Sequence, residues 1–600
     1  MFNDNQEVAD MKILIKSLII PLFMLYLIMG SCTSSVRLSE LKPYLKKSVS
    51  WKCTNLNRTI PLNIYYLEDK TDPDGRDVIV YVKNRAWERI GQEGDLSILS
   101  DFIKKKFIVI TLDFGNDPKA VSPSFDNDIN EVYSAVFGYK TKSLLQDIHL
   151  IPKEYRCFVI PEGYRVATDL VYWEIDKHGV YGTLEYIMNT YNAEIVPKMP
   201  GMKPALTTSE MVDRKGKPFD YKIKMDILYP SQSKKKLPAF IYSETSQSRN
   251  AHCEPASDGS HLNWFQMRGY VYIVMGHCFN PATVHYWHFI DFTLDHWNGL
   301  GCYTAALRYI YANSDMYSIN TNYIGAMGIS KGQYAITRLS DPNHDGGTES
   351  KKFESFPEGT PEPTTLPGQI VFVKTDSLPE GTPEPQPWPG YPSKITCGWQ
   401  GMGMGSFESE YITPDYVPTI LACGENDRDV ITKEAYPRFF NRLEELDVNF
   451  ISLFMQGLGH SLSYGYDERM GVDRYQLVID FFDRYLKVEE KLPPVVLIIS
   501  PRDNKEDVSP AAEISIDFAP VIDAQSITHE KGIRIIRTKN NQEVEGSWKV
   551  SHRGTKYTFI PEQALNKNEQ YSIIVTTKIK NIAGTYLDRK KTVHFRVAAE

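Results

Sequence analysis

Short apolar runs alternate with amphipathic stretches between residues 200 and 490. The runs predict β-strands at 221–228, 238–242, 270–275, 323–327, 419–423 and 449–454. The stretches between them predict helices at 296–311 and 436–446, with Pro437 in the first turn of the second one. A further helix is predicted from Asp473, with Leu477, Val478 and Phe481 on its apolar stripe. This alternation favours an α/β fold with a doubly wound sheet over 201–490.

The region 33–200 has a weaker pattern of the same kind. Apolar runs at 60–66, 78–82 and 107–112 predict strands, and 96–104 predicts a helix. A strand, a helix and a strand in that order indicate an N-terminal α/β region. The two α/β regions could be a degenerate duplication or two parts of one large sheet.

Proline interrupts the larger α/β region between residues 341 and 392. The sequence PEGTPEP occurs twice there, at 357–363 and 379–385. Proline breaks regular helices and strands, and an irregular insert of this length is often functional. We interpret the insert as a lid or rim over an active site, and a surface loop is the alternative.

A different pattern begins after residue 490. Seven short strands bounded by turn residues are predicted at 495–499, 513–518, 533–538, 547–551, 557–560, 571–577 and 592–597. This density predicts an all-β sandwich. The runs SPRDN at 500–504, DVSP at 507–510 and YTFIP at 557–561 make 491–600 resemble a bacterial Ig-like domain.

The N-terminus has the pattern of a targeting segment. Lys12 and Lys16 precede an apolar run over 18–29, which is followed by Gly30, Ser31 and Cys32. A basic region, a short apolar run and small residues predict a signal peptide over 1–32. Cys32 after Gly-Ser resembles the lipobox of bacterial lipoproteins, which implies lipidation at Cys32 and anchoring in the cell envelope. An uncleaved anchor and plain secretion are the alternatives.

Charge and cysteine content narrow the functional classes. A net charge of −8 over 600 residues argues against a nucleic-acid partner. The seven cysteines other than Cys32 are scattered without a CxxC pair, so no disulfide framework is predicted. Six histidines between 252 and 296 lack the spacing of metal ligands. We therefore expect neither a metal nor a cofactor.

Candidate chemistry centres on Ser330. The apolar run 323–327 leads into Gly328-Ile329-Ser330-Lys331-Gly332, a GxSxG pattern between a predicted strand and a predicted helix. Glycines permit the tight turn that exposes the serine hydroxyl above the sheet. The N–H groups of the following helix can stabilise an oxyanion.

An acid and a histidine follow Ser330 in the order that a hydrolase sheet requires. The strand 419–423 leads into Gly424, Asp427 and Val430, which resembles the GxxDxxV turn of the α/β-hydrolase family. The resemblance implies Asp427 as the triad acid, with Asp429 and Glu425 as rivals. His460, in a Gly-rich loop after the strand 449–454, matches the position of the family's base.

The same resemblance implies an oxyanion hole. The Lys331 N–H would be one donor, and the second would come from the loop after the strand 238–242. That loop reads SETS at 243–246 where the family often has His-Gly-Gly, and we expect Thr245 to be the donor. Arg249 and Lys331 would suit a substrate carboxylate, and their alternative role is as solvated surface charges.

The whole chain resembles esterases that Bacteroidetes-type bacteria attach to their envelope for polysaccharide degradation. That resemblance implies an exported serine carboxylesterase that acts on a polysaccharide or oligosaccharide. It would remove methyl esters from pectic galacturonate or acetyl groups from a glycan. The only membrane contact implied is the N-terminal lipid anchor, and the sequence does not predict the oligomeric state.

Two other functions fit parts of the sequence. The Ser-Lys-Gly of the turn also resembles some secreted tripeptidyl peptidases, and prolyl-oligopeptidase relatives share the order of the three residues. The region 33–200 has no propeller repeat, which argues against the prolyl type. A non-catalytic glycan-binding lipoprotein is the third interpretation. The presence of Ser330, Asp427 and His460 argues against it.

Overall fold

Two α/β sheets and a β-sandwich follow one another along the chain. The computed structural model describes residues 38–53, 57–68, 75–84, 97–115, 124–138, 143–146, 152–174, 222–231, 233, 235–243, 268–276, 303–329, 331–342, 388, 390–401, 412–427, 430–460 and 465–599.

The first sheet has five strands. They are β1 (Leu45–Cys53), β2 (Arg58–Tyr65), β3 (Arg76–Asn84), β4 (Ile108–Gly115) and β5 (Pro152–Pro161). Their spatial order is β1-β2-β4-β3-β5, in which β2 is antiparallel to both neighbours and β3 is parallel to both of its own. Helix α1 (Ser97–Lys104) connects β3 to β4, and α2 (Ser124–Phe137) connects β4 to β5. The strands predicted at 60–66, 78–82 and 107–112 and the helix at 96–104 are confirmed.

The second sheet has eight strands. They are β6 (Tyr164–Glu174), β7 (Lys222–Pro230), β8 (Leu237–Ser243), β9 (Val271–Met275), β10 (Ile319–Ile329), β11 (Cys397–Gly401), β12 (Thr419–Gly424) and β13 (Phe450–Met455). The order is β6-β7-β9-β8-β10-β11-β12-β13. Only β7 runs in the direction opposite to the other seven strands, so the sheet is mixed. The carboxyl ends of β8 to β13 therefore meet along one edge.

Helices pack on both faces of this sheet. They are α3 (Lys331–Leu339), α4 (Val430–Glu445), α5 (Arg474–Leu486) and the helical residues 303–312. A Cβ on Gly325 would lie 2.7 Å from Leu486 in α5, and a Cβ on Gly328 would lie 2.7 Å from Ile336 in α3. Strand positions three apart point to opposite faces. Glycine at both positions therefore lets a helix approach each face closely.

The region 33–200 is divided between the two sheets. Strand β5 ends at Pro161 and β6 begins at Tyr164, so two residues connect them. The N–H of Glu162 in this connection donates to the carbonyl of Val82 (2.7 Å). Residues 164–174 pair with β7 and complete the larger sheet, so the sheet does not begin at residue 201.

The first five strands of the two sheets have the same arrangement. β1-β2-β4-β3-β5 and β6-β7-β9-β8-β10 share their order and the directions of all four neighbouring pairs. Of the two alternatives left open by the sequence, one large sheet is wrong, because the two sheets are separate. The repeated order favours a degenerate duplication. The smaller sheet stops at β5 and has no counterpart of the turn from β10 into α3.

A short hairpin of β14 (Tyr466–Asp467) and β15 (Val472–Asp473) follows β13.

The C-terminal part is a β-sandwich. Its strands are β16 (Val495–Ser500), β17 (Lys505–Val508), β18 (Ile514–Ala519), β19 (Ile533–Arg537), β20 (Gln542–Glu543), β21 (Gly546–Ser551), β22 (Lys556–Pro561), β23 (Gln570–Val575) and β24 (Lys591–Val597). One sheet has the order β16-β18-β22-β21, and the other has the order β17-β24-β23-β19-β20. All seven strands predicted here are confirmed.

The sandwich packs directly on the larger sheet's domain. The Asp447 carboxylate, in the connection from α4 to β13, accepts from the N–H of His552 (2.5 Å). The His552 ring is buried, stacks on Phe450 at 4.6 Å and lies 3.2 Å from Glu444. The Thr555 hydroxyl donates to the Asn449 side chain (3.1 Å). These contacts make the sandwich part of the packed body rather than a tethered spacer.

The ends of the Pro-rich insert lie on the body of the domain. The Asp341 carboxylate accepts from the N–H of Thr413, which precedes β12 (2.7 Å). The Trp388 indole donates to the Tyr172 carbonyl of β6 (2.8 Å), and its ring meets Tyr309 at 5.1 Å. Residues 343–387 lie outside the described residues, so the lid stays a prediction.

The predicted signal peptide, with Cys32, also lies outside the described residues. Within the described part of the chain, no helix has the length and apolar character to cross a membrane.

Candidate active site

The position of Ser330 is a one-residue step from strand to helix. Strand β10 ends at Ile329 and α3 begins at Lys331, while Ser330 itself lies outside the described residues. A Cβ on Gly328 would lie 2.3 Å from the Gly332 carbonyl oxygen. Any side chain at 328 would therefore force the turn apart. The two glycines of the GxSxG pattern meet here as the tight turn requires.

Asp427 lies in the turn after β12. Its side chain is only 1% exposed, and its backbone N–H donates to the Gly424 carbonyl (3.2 Å). The rival Glu425 points elsewhere, because its carboxylate accepts from the N–H of Gly457 (3.0 Å). The other rival, Asp429, lies outside the described residues.

His460 lies in the loop after β13 and meets Asp427. Its Nδ1 is 2.9 Å from Oδ2 of Asp427, and its side chain is 44% exposed. A buried carboxylate bonded to Nδ1 fixes the tautomer in which Nε2 carries the lone pair. Such an imidazole can accept a proton at Nε2 and return it.

Backbone contacts hold the turn after β12 that carries Asp427 (the acid turn) against the loop after β13 that carries His460 (the histidine loop). The Asn426 N–H donates to the Leu458 carbonyl (2.6 Å), and the Glu425 N–H donates to the Met455 carbonyl (2.9 Å). A Cβ on Gly424 would lie 2.0 Å from the Gly459 carbonyl oxygen. The close approach of the two loops depends on glycine at 424, and it sets the distance between the acid and the base.

The oxyanion region is described only in part. Lys331 begins α3, and the structure describes its backbone but not its side chain. Strand β8 ends beside the turn, with Ser243 paired to Gly328. The loop that contains Thr245 and Arg249 starts at this point, and both residues lie outside the described residues.

A buried polar chain under the serine turn was not foreseen. The Thr337 hydroxyl in α3 donates to the Gln400 side chain in β11 (2.9 Å), whose amide donates to the Tyr416 hydroxyl (2.7 Å). Gln333, one turn before Thr337, is fully buried, and its Nε2 has no hydrogen-bond partner among the residues that the structure describes. No sequence motif predicts this series of hydrogen bonds, because the side chains that form it meet only when α3 packs on β11.

Metal ligands are not grouped in the described part of the chain. No three His, Cys, Asp or Glu side chains there lie together as they would around an ion. The six histidines of 252–296 lie outside that part.

The order of the site residues resembles that of an α/β-hydrolase sheet. A strand-to-helix turn holds a serine position, and an acid and then a histidine follow it along the chain after later strands.

Residues 490–597 match the family model of the bacterial Ig-like domain. The C-terminal sandwich is thus a bacterial Ig-like domain.

Solved structures of esterases and hydrolases show a distant likeness. A truncated carbohydrate esterase from gut microbiota is 14% identical, with a TM-score of 0.27 over 44% of this chain and 91% of that one. Esterase Est2 of Thermogutta terrifontis with butyrate bound is 15% identical, with a TM-score of 0.30 over 51% and 98% of the two chains. MGS-M1, an α/β hydrolase from a deep-sea metagenome library, is 14% identical, with a TM-score of 0.26 over 44% and 93%. Likenesses this low carry no argument about activity.

No curated protein sequence is significantly similar to this chain.

Proposed function

We propose that the chain is a serine ester hydrolase whose nucleophile is Ser330. The observation that carries the proposal is the 2.9 Å contact between His460 and the buried Asp427. This pair lies at the carboxyl edge of the strands, and the turn that bears position 330 lies at the same edge. A serine, an oriented imidazole and a buried carboxylate are the groups that acyl transfer requires.

In the proposed reaction, His460 transfers one proton in each of two steps. Its Nε2 takes the proton of the Ser330 hydroxyl while Oγ attacks the ester carbonyl carbon, and the carbonyl oxygen becomes an oxyanion. The C–O bond to the alcohol then breaks, and the imidazolium gives its proton to the leaving oxygen. Water attacks the acyl-enzyme with His460 as base, and the acid leaves as Ser330 regains its proton. Asp427 keeps the imidazole oriented and stabilises its charged form.

We propose the Lys331 N–H as one oxyanion donor and the Thr245 N–H as the other. The first N–H groups of a helix have no partner within the helix and point out of its N-terminus. Lys331 is the first residue of α3. The pairing of Ser243 with Gly328 supports the second donor, because it starts the Thr245 loop beside the turn.

The proposed substrate is an esterified polysaccharide. The reaction would release methanol from pectic galacturonate or acetate from a glycan, and Arg249 and Lys331 would bind a substrate carboxylate. The signal pattern and the Ig-like domain support an exported enzyme, with Cys32 lipidated and the protein anchored in the cell envelope. Fold likeness alone does not select a substrate, so the substrate needs its own test.

The experiment is to measure methanol and acetate release from a panel of pectins and acetylated glycans. The full-length protein is compared with Ser330→Ala, and known esterases serve as positive controls. Methanol or acetate release that is lost in Ser330→Ala would support the proposal and select the ester. If neither is released while the controls work, and aminoacyl anilides are cleaved instead, the proposal is wrong and the chain is a peptidase.

A further inference from the structure

A small hairpin follows the histidine loop and lies at the outer edge of the larger sheet. Its strands are β14 (Tyr466–Asp467) and β15 (Val472–Asp473). The guanidinium of Arg469, at the hairpin tip, donates from Nη2 to the Phe454 carbonyl (2.6 Å). Phe454 is the residue before the last in β13. This bond places the hairpin tip beside the carboxyl end of the strand that leads to His460.

Asp467 makes the hairpin rigid. Its carboxylate is buried, accepts from the N–H groups of Arg469 (2.9 Å) and Met470 (3.0 Å), and pairs with Arg474 (2.7 Å). Burial alone would raise the pKa of Asp467, but these hydrogen bonds and Arg474 outweigh it and lower the pKa. An ionised Asp467 therefore holds the turn in one conformation.

The Ig-like domain supports the back of the same turn. Gly471 has a φ of +69°, and a Cβ there would lie 2.9 Å from Cβ of Arg502 in the Ig-like domain. The hairpin is thus held from inside by Asp467 and from behind by the sandwich. The backbone that carries its exposed side chains is therefore held in place, which lowers the entropy lost when they bind a ligand.

Two side chains on the hairpin suit a sugar acid. Tyr466 is 63% exposed, and Arg469 is exposed as well. An exposed aromatic ring can pack on the apolar face of a sugar ring, and a guanidinium pairs with a carboxylate through two parallel hydrogen bonds. Glu468 between them is also exposed and would repel an anion.

The hairpin is too far from the serine turn to contact the reacting ester. β13 is three strands from β10, and strands are spaced by about 4.8 Å, so the separation is about 14 Å. A ligand that occupies both places must be a polymer. We propose that Tyr466 and Arg469 form a distal subsite for a uronate-containing polysaccharide, in which Tyr466 packs on a sugar ring and Arg469 pairs with its carboxylate. The choice of a polymer rests on the proposed function.

The test is binding of the full-length Ser330→Ala protein to unesterified polygalacturonate, measured by affinity electrophoresis and calorimetry. Binding without turnover keeps this test separate from the esterase assay. Adding Arg469→Ala should weaken binding about tenfold, since a charge-assisted hydrogen bond contributes on the order of a factor of ten. Tyr466→Ala should weaken binding as well, and Tyr466→Phe, which keeps the ring, should restore it.

Matched controls come from the Ig-like domain. Arg589→Ala and Tyr586→Ala remove an exposed arginine and a 52% exposed tyrosine that are not part of the hairpin, and they should leave binding unchanged. Glu468→Gln should tighten binding to polygalacturonate. Thermal unfolding of each variant identifies any that fail to fold.

Two results would overturn the subsite. One is unchanged polygalacturonate binding in a folded Arg469→Ala protein. The other is an equal loss of binding to a neutral glucan, because a carboxylate pair cannot act there. A protein that binds polygalacturonate through Arg469 but releases no methanol or acetate would keep the subsite and reject the esterase.

Discussion

Nδ1 of His460 and Oδ2 of Asp427 lie 2.9 Å apart, although 33 residues separate them along the chain. The acid turn and the histidine loop follow neighbouring parallel strands, β12 and β13, which end together. Gly424 permits a close contact with the Gly459 carbonyl, and this contact sets the distance between the two loops.

The first prediction concerns the charge of Asp427. Asp427→Asn keeps the size of the side chain but offers His460 an amide, which allows the wrong tautomer. Turnover of an aryl acetate should fall by about 10³- to 10⁴-fold. Steady-state kinetics measure this, and Glu425→Gln is the control, because Glu425 bonds to Gly457 instead of the imidazole. A folded Asp427→Asn protein with near-wild-type turnover would exclude Asp427 as the triad acid.

The second prediction concerns Gly424. Gly424→Ala places a methyl group 2.0 Å from the Gly459 carbonyl oxygen, so the histidine loop must move. Esterase turnover should fall by at least tenfold, because a shift of about 1 Å at a catalytic group costs about a hundredfold. Gly465→Ala is the control, since a Cβ there meets no atom of the described residues within 4 Å. Equal kinetics of the two variants would show that the loop contact does not set the position of His460.

A third prediction is the acid sensitivity that Asp483 creates. This residue of α5 is buried against Arg268, Tyr270 and Lys487. Burial alone would raise the pKa of Asp483, but Lys487 and Arg268 more than offset it and lower the pKa from 3.8 to about 2. A lowered pKa means that the ionised carboxylate stabilises the fold above pH 3.8, and that this stabilisation is lost as the pH falls towards 2.

Asp483→Asn measures this contribution. The variant leaves the partly buried Arg268 and Lys487 without this carboxylate, so unfolding should become easier by about 2 to 3 kcal/mol at pH 7, the free energy that corresponds to the lowered pKa. Urea unfolding midpoints at pH 7, 5, 4, 3 and 2 give the comparison. The gap between wild type and variant should stay constant down to about pH 4 and close below it. A gap that persists unchanged at pH 2 would contradict the assigned ionisation.

The fourth prediction concerns the junction with the Ig-like domain. His552→Ala removes a buried ring that stacks on Phe450 and contacts Glu444. The thermal unfolding midpoint should fall by several degrees, because the change leaves a cavity and an unpaired carboxylate. His529→Ala on the exposed surface of the same domain should not change it. Equal midpoints for both variants in scanning calorimetry would mean that the junction contributes little.

Sequence patterns succeeded where a segment is apolar and local. The seven predicted strands of the Ig-like domain and the six of the larger sheet are all present. The sequence patterns failed for β11, because its sequence CGWQG has no regular alternation of apolar and polar residues. That strand needs glycine at 398, since a Cβ there would lie 2.9 Å from the hydroxyl of Ser340, which directly follows α3. Only the packing of α3 explains a glycine-rich strand in the middle of a sheet.

The predicted start of α4 is also wrong. Pro437 was expected in a first turn, but the helix begins at Val430, directly after the acid turn, and Pro437 lies inside it. Proline removes one backbone hydrogen bond there. Its position is exposed, so water can satisfy the carbonyl that loses its partner.

The candidate site depends on a contact between residues that are far apart along the chain. The sequence could predict this contact only from the order in which the serine, the acid and the histidine occur. The order serine, acid, histidine pointed to Asp427 and His460, and the structure brings these two together. The polar chain through Gln400 and the fixed hairpin of Asp467 left no trace in the sequence, because their partners meet only through tertiary packing.

The central claim is that Ser330 is a nucleophile activated by His460. The most direct measurement is labelling with a fluorophosphonate, followed by peptide mass spectrometry. We predict one adduct per chain on the peptide that contains Ser330, no adduct in Ser330→Ala and strongly slowed labelling in His460→Ala. An adduct that persists in Ser330→Ala, or a folded wild-type protein that takes no label, would contradict the claim.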